Sequence, residues 1–106
     1  MKEKSSYLNM IGLANRAGKC TFGEEQIVKE IQAKKSKLVL IASDTGYQTR
    51  KKLIDKCTSY QVPYFFVDDR DILSQAVGRS GRVAISIREQ GFAKKLITLL
   101  DENNRR

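Results

Sequence analysis

The 106-residue chain contains no histidine and no tryptophan, and it has only one proline and two cysteines. Without histidine, no imidazole can act as a general acid or base or activate a nucleophile. Two cysteines alone do not supply the four ligands of a usual structural zinc site. We therefore predict a protein with no catalytic site, metal or cofactor. Cys20 and Cys57 are expected to be free, buried thiols in a reducing compartment.

Long apolar segments are also missing from the sequence. No run approaches the roughly 18 apolar residues that a membrane-spanning helix needs. The first ten residues, MKEKSSYLNM, lack the apolar core of a signal peptide. We therefore expect a cytoplasmic protein with no membrane partner.

Positive charge is what the sequence has in excess. Lysine and arginine number 20 against 12 acidic residues, which gives a net charge of +8 and a pI near 9.7. A hydrophobic fraction of 41% in regular runs predicts one folded domain over residues 1–106. On so small a body this charge favours a nucleic-acid partner over a small-molecule substrate, with a solvated basic surface as the alternative.

The apolar pattern predicts five helices that alternate with four strands. Strands separated by helical crossovers predict an α/β sandwich with helices on both faces of the sheet. The last strand, at 83–87, shows alternating apolar and small residues. The other strands are expected at 19–21, 38–42 and 64–67. The first helix is expected to be capped by Ser5 or Ser6 and closed by Gly18, the second to start at Gly23, and the third to span 47–59. A short fourth helix is capped by Asp68 or Asp69 and ended by Gly78, and a closing helix precedes a frayed tail at 101–106.

Gly18-Lys19 has some features of a phosphate-binding loop, but the match fails. Five residues separate Gly12 from Gly18, whereas a P-loop has four between its glycines, and Cys20 stands where a P-loop has a hydroxyl residue. The segment also follows a predicted helix instead of a strand. Gly18 is therefore interpreted as a helix C-cap, and a nucleotide-using enzyme is disfavoured.

Three acidic residues, Asp68, Asp69 and Asp71, lie close together in the sequence. Neighbouring carboxylates can bind magnesium. These residues stand at a predicted strand-to-helix junction, where capping of the helix explains them. We interpret them as capping residues.

The start of the second helix is a candidate binding site. A helix N-terminus presents unpaired amides and the positive end of its dipole, which suits phosphate. Gly23 lets a backbone approach closely. Glu25, Gln26 and Lys29 share one helix face and offer an acceptor, an amide and a positive charge. The alternative is an ordinary solvated helix start with a Glu25–Lys29 ion pair.

A resemblance favours the binding interpretation. GEEQIVKEIQAKKSKLVLIASD at 23–44, VPYFFV at 62–67 and ILSQAVGRSGRVAISI at 72–87 resemble the L-seven-Ae/L-thirty-e ribosomal-protein superfamily over residues 8–99. The resemblance implies a three-layer α/β/α sandwich around a four-stranded mixed sheet. It also implies binding to kink-turns, which are sharply bent RNA loops. The superfamily's recognition signature falls on Gly23, Glu25, Gln26 and Lys29, with Gln26 and Lys29 expected to contact guanines and phosphates. Glu25 departs from the amide or cation usual at its position.

A second RNA contact is implied for the loop after the fourth helix. The superfamily's pattern there corresponds to residues 73–78, with Ser74 in place of a glycine and Gly78 retained. The following residues, 79–82, are basic where relatives are apolar. Arg79 and Arg82 would grip phosphate or stack on a base, with a solvated basic loop as the alternative. The expected RNA-binding residues are thus Lys19, Gly23, Glu25, Gln26, Lys29, Gly78, Arg79, Ser80 and Arg82.

Other basic residues are weaker candidates for RNA contact. The rim of the site would be extended by Arg16, Lys19 and Lys37. The basic face of the third helix is either solvated or a second RNA contact; its residues are Arg50, Lys51, Lys52 and Lys56.

The leading hypothesis is a non-catalytic, monomeric protein that binds structured RNA, such as ribosomal RNA. The rival is a protein-interaction or scaffolding domain that has lost RNA recognition, which the departures at Glu25 and 79–82 motivate.

Overall fold

The computed structural model describes the backbone of residues 2–104 and the side chains of residues 6–101. Within that range, helices and strands alternate along the whole chain. None of these helices is both long and apolar enough to span a membrane. The elements are α1 (Lys2–Arg16), β1 (Cys20–Phe22), α2 (Glu24–Gln32), β2 (Leu38–Ala42), α3 (Tyr47–Tyr60), β3 (Tyr64–Val67), α4 (Arg70–Val77), β4 (Ala84–Ile87) and α5 (Gln90–Asn104).

The four strands form one mixed sheet in the order β1-β4-β2-β3. β4 is antiparallel to both of its neighbours, whereas β2 and β3 are parallel. We call the end of the sheet where Phe22, Ala84 and Val67 lie the upper end. The lower end is the opposite one, where Cys20 pairs with Ile87. Because β1 runs toward the upper end and β4 starts there, Gly23 and the loop before β4 meet at that end.

Helices cover both faces of the sheet. On one face, apolar residues of α1, α4 and α5, such as Ile11, Leu73 and Leu96, pack with alternate residues of the strands. On the other face, α2 and α3 bury Ile27 and Leu53 among the remaining strand residues. The predicted α/β/α sandwich around a four-stranded mixed sheet is therefore confirmed.

The apolar and the small residues that alternate in the last strand both face the interior. All four residues of β4 are buried, because β4 lies between β1 and β2 and has helices on both faces. Ser86 sits at 0% exposure in this position. Its hydroxyl donates to Glu30 at 3.0 Å and shares a hydrogen bond with Ser36 at 2.7 Å. These bonds compensate for the water that burial removes.

Several predicted boundaries also need correction. α1 begins at Lys2, so Ser5 and Ser6 lie inside the helix and do not cap it. β1 starts one residue later than expected, at Cys20, and Val83 precedes β4. α5 continues through Asn104, so the expected tail is helical over 101–104, and 105–106 lie outside the described residues.

The capping interpretation is confirmed for Gly18, Gly78 and Asp69, whereas Asp68 precedes the capping residue of α4. Gly18 has a φ of 74° and closes α1, and the next amide donates to the Ala14 carbonyl at 3.0 Å. The Asp69 carboxylate accepts from the Ile72 amide at 3.0 Å and so caps α4. Asp68 instead accepts a hydrogen bond from the Tyr7 hydroxyl. Burial, followed by this bond to a carboxylate, raises the pKa of Tyr7.

Both cysteines are free, but only Cys57 is fully buried as predicted, whereas Cys20 is partly buried. Burial raises the pKa of each thiol to about 11. At neutral pH both thiols are therefore protonated, which is the unreactive form of cysteine.

Candidate nucleic-acid interface

The N-terminus of α2 begins at a glycine that no other residue could easily replace. Gly23 has φ 90° and ψ 130°, a conformation that L side chains rarely adopt. A Cβ at this position would meet no atom within 4 Å, so space is open on that side. No side chain caps the helix. The amides of the first turn are thus available to an external acceptor.

Glu24, the first residue of α2, is held against α3. Its carboxylate accepts from the Thr49 hydroxyl at 2.8 Å and pairs with the Lys52 ammonium at 3.1 Å. The bond from Thr49, and then the bond from Lys52, hold the pKa of Glu24 below its usual value. Glu24 therefore stays ionised, but its charge is balanced by Lys52 rather than directed at a ligand.

Glu25, Gln26 and Lys29 form an exposed face on the same helix. Within residues 6–101, no ion pair joins Glu25 to Lys29, although their spacing permits one. The solvated Glu–Lys pair that was the alternative interpretation is therefore not formed. All three side chains are accessible to a ligand at this helix start.

The loop at 79–82 is tied to α4 by the serine that departs from the superfamily's glycine. α4 ends at Gly78, which has a φ of 69°. The hydroxyl of Ser74, a buried residue of α4, accepts from the Arg82 amide at 2.9 Å. The Arg79 amide donates to the Ser74 carbonyl at 3.1 Å. Hydrogen bonds to α4 thus fix the backbone at both ends of the loop, whereas residues 79–81 are exposed.

Phe22 links this loop to the start of α2. It is the last residue of β1 and directly precedes Gly23. The guanidinium carbon of Arg79 lies 5.1 Å from the centre of the phenyl ring, and that of Arg82 lies 5.2 Å from it. Each contact of this kind contributes about 0.5–1 kcal/mol when exposed. The Nε atom of Arg82 is buried without a hydrogen-bond partner.

Two concave surfaces adjoin the loop. A groove of about 570 Å³ is lined by one side of the loop and by α4, including Gln75, Arg79 and Ser80. A cleft of about 60 Å³ lies on the other side, between Gly23 and Arg82. The upper end therefore has an open and irregular surface in which amides and guanidinium groups are close together.

Most of the predicted site residues come together at this end, but Lys19 does not. Lys19 precedes β1 at the lower end, where its carbonyl accepts from the Arg88 amide at 2.9 Å. Since a strand rises about 3.3 Å per residue, Lys19 is about 13 Å from Gly23. Lys37 is also at the lower end, because its amide donates to the Ile87 carbonyl at 2.8 Å. These two lysines do not extend the rim of the upper site.

The basic residues of α3 are partly engaged within the protein. Lys51 pairs with Asp55 at 3.2 Å, and Lys52 pairs with Glu24. Arg50 and Lys56 are half-buried. Two of the four charges are therefore balanced by neighbouring carboxylates.

Sequence reasoning missed Phe22 altogether. An aromatic residue next to the helix-opening glycine, together with two arginines in the loop, was the available signal. The signal was weak because cation–π contacts depend on which loops meet in the fold.

Residues 6–97 match the model of the Ribosomal protein L7Ae/L30e/S12e/Gadd45 family. This span is most of the chain, so the protein belongs to that family, as the resemblance in its sequence indicated.

Individual relatives agree with this assignment. The chain is 47% identical over 92 residues to the RNA-binding protein YlxQ of Bacillus subtilis, covering 87% of this chain and 92% of the relative. It is 33% identical over 101 residues to the large ribosomal subunit protein eL30 of Saccharomyces cerevisiae, covering 93% and 96% of the two chains. A solved structure of a protein of unknown function from Bacillus halodurans superposes with a TM-score of 0.88 at 45% identity, covering 90% of this chain and 96% of that one.

Proposed function

We propose that this protein is a non-catalytic RNA-binding protein of the cytoplasm that recognises structured RNA, such as a ribosomal kink-turn. It acts as a monomer with one RNA-binding domain. The observation that carries the proposal is the meeting of two features at the upper end of the sheet. These are the uncapped N-terminus of α2 at Gly23 and the arginine-bearing loop at 79–82. The family's YlxQ and eL30 members support the same assignment.

The first turn of α2 would enter the bent part of the RNA. Its amides and helix dipole favour a phosphate near Gly23. Gln26 can exchange two hydrogen bonds with a base edge, and Lys29 supplies positive charge to the backbone. Glu25 can approach RNA favourably only by accepting from a base amino group, because an ionised carboxylate repels phosphate.

The loop at 79–82 would close over the RNA from the other side. Arg79 is exposed, whereas Arg82 is half-buried, so Arg79 is the more accessible cation. Gly78 and Ser80 shape the groove beside it. Lys19 would take part only where the RNA continues along β1 to the lower end.

Two substitutions on α2 test the proposed site. Replacing Lys29 with glutamine should weaken binding to all RNAs, since a phosphate contact carries no sequence information. Replacing Gln26 with alanine should instead reduce discrimination at one base pair. Lys94→Gln, on the exposed face of α5, is the control for loss of one charge. If the Lys29 and Gln26 variants bind like the unaltered protein at about 0.15 M salt, the site is elsewhere.

A protein-interaction domain is the second candidate function. It is favoured by a groove of about 520 Å³ between α1 and α4, which contains the exposed side chain of Leu13. Affinity capture before and after nuclease treatment separates the two functions. A defined protein recovered after nuclease, with no RNA retained before it, would support the second candidate.

A further inference from the structure

The phenyl ring of Phe22 contacts two cations, Arg79 and Arg82. Within residues 6–101, the guanidinium groups of Arg79 and Arg82 make no ion pair and no side-chain hydrogen bond. Both lie about 5 Å from one ring centre, so they are at most about 10 Å apart. Like charges at this separation repel. The negative face of the ring offsets part of that repulsion.

The guanidinium of Arg82 also includes an unsatisfied polar atom. The buried Nε of Arg82 lacks an acceptor, and an unsatisfied buried donor lowers stability. Loop residues are normally free to relax such a defect, but the Arg82 amide is fixed by the Ser74 hydroxyl at 2.9 Å. Two unneutralised guanidinium groups are thus held near each other beside an uncapped helix N-terminus.

We propose that Phe22 is a positioning residue that holds Arg79 and Arg82 next to the start of α2 so that both grip the phosphate backbone of the bound RNA. The inference rests on the proposed function and deepens it. A guanidinium that lies over a ring keeps its N–H edge free for in-plane acceptors, and phosphate oxygens are such acceptors. Because the ring orders the arginines before RNA arrives, less side-chain entropy is lost on binding.

The test measures RNA affinity at several salt concentrations for Phe22→Leu, Phe22→Tyr and the double variant Arg79→Gln/Arg82→Gln. The probe is a kink-turn RNA, with a plain duplex of the same length as a second probe. Losing two phosphate contacts should reduce the slope of log affinity against log salt by about 2 for the double variant. Phe22→Leu keeps the net charge and an apolar side chain but removes the ring. We expect about fivefold weaker binding at about 0.15 M salt.

The decisive comparison is the effect of Phe22→Leu in two backgrounds. If Phe22 acts through the arginines, the substitution has less than about 1.5-fold effect once both are glutamine. Phe22→Tyr retains the ring and should bind within about twofold of the unaltered protein. Phe22→Met provides the same test where the leucine variant fails to fold in a thermal melt, because methionine fills irregular spaces.

Equal effects of Phe22→Leu in the two backgrounds, or no effect in either, would overturn the inference. Equal affinity of the unaltered protein for the two RNAs would instead contradict kink-turn recognition. Binding to either RNA would still show whether the effect of Phe22→Leu depends on the two arginines. If the unaltered protein bound neither RNA at about 0.05 M salt, both the inference and the proposed function would be wrong.

Discussion

Arginines at the two ends of the sheet have opposite surroundings. At the lower end, Arg88 donates to the Gly18 carbonyl, and its Nε lies 3.8 Å from the Glu30 carboxylate. At the upper end, Arg79 and Arg82 rest on the Phe22 ring. No carboxylate in residues 6–101 pairs with either of them. The lower arginine is neutralised within the fold, whereas the upper two keep their charge available.

The comparison distinguishes an arginine that stabilises the fold, Arg88, from two arginines whose charge is available to a ligand, Arg79 and Arg82. Glu30 also accepts from the hydroxyls of Thr21 at 2.5 Å and Ser86 at 3.0 Å, so the lower end forms a continuous polar network between α2 and the sheet. Such networks stabilise a fold when every member is satisfied. The net charge of +8 alone does not distinguish the two ends, but the partners of each arginine do.

The largest effect should follow from breaking the lower network. Glu30→Ala removes the acceptor of the Thr21 and Ser86 hydroxyls and should reduce the free energy of unfolding by about 2 kcal/mol. RNA affinity should change less than about twofold, because the Glu30 carboxylate is directed at Thr21 and Ser86 of the sheet and not at the proposed site. Urea denaturation and an RNA titration measure the two quantities. Glu25→Ala is the control and should cost less than about 0.5 kcal/mol. Similar losses for both variants would contradict the structural role of the network.

Replacing an arginine at each end of the sheet should separate RNA affinity from stability. Arg79→Gln should weaken RNA binding by about tenfold, since a charge-assisted hydrogen bond contributes roughly 1.5–3 kcal/mol. Its free energy of unfolding should fall by no more than about 0.5 kcal/mol, because the lost cation–π contact with Phe22 is partly offset by relief of the repulsion between the two arginines. Arg88→Gln should leave RNA affinity within about twofold but lower the free energy of unfolding by about 1 kcal/mol. Equal losses of RNA affinity in the two variants would show that only total charge matters.

Removing the hydroxyl that fixes the loop should have a smaller effect. Ser74→Ala leaves the Arg82 amide without its acceptor and should reduce the free energy of unfolding by about 1 kcal/mol. RNA binding should weaken by about threefold, because the loop becomes less ordered before binding. Thermal unfolding and RNA titration of the same variant measure both effects. Ser80→Ala, in the exposed part of the loop, is the matched control for the unfolding measurement. Unchanged stability would mean that the Ser74 bond does not hold the loop.

The smallest effect is expected at Glu25, the acidic residue of α2 that departs from the superfamily's pattern. Glu25→Gln removes a negative charge near the proposed phosphate path and should strengthen RNA binding by about threefold at low salt. The gain should shrink as salt is added, since exposed charges are screened. Glu24→Gln is a contrasting variant, because Lys52 already balances Glu24. Weaker binding by Glu25→Gln would mean that Glu25 accepts from a base.

The order of the elements was predictable because each carries its own local signal. The all-apolar run at 38–42 gave β2 its correct bounds, since a strand covered on both faces needs no alternation. The alternation in β4 did not indicate how a buried Ser86 finds hydrogen-bond partners. Its burial depends on Glu30 and Ser36, which are distant in the sequence. Local patterns do not show such long-range compensation.

The candidate site was predictable only in part, for a related reason. Gly23, Gln26 and Lys29 share one helix start, so their proximity follows from helical spacing. Lys19 is close to Gly23 in sequence, but β1 separates them in space. Phe22 was overlooked because its role depends on a loop more than 50 residues away. Contacts between distant segments are set by the sheet order, which the helix and strand pattern leaves open.

The most direct measurement of the central claim is a gel-shift titration of the unaltered protein against a kink-turn RNA and a plain duplex of the same length. At about 0.15 M salt, weak surface electrostatics are largely screened. The proposed interface at the upper end predicts binding to the kink-turn that is tighter by about 100-fold or more, in the range typical of specific recognition. Equal binding to the two RNAs would contradict it and would show that the +8 charge gives only general affinity for polyanions.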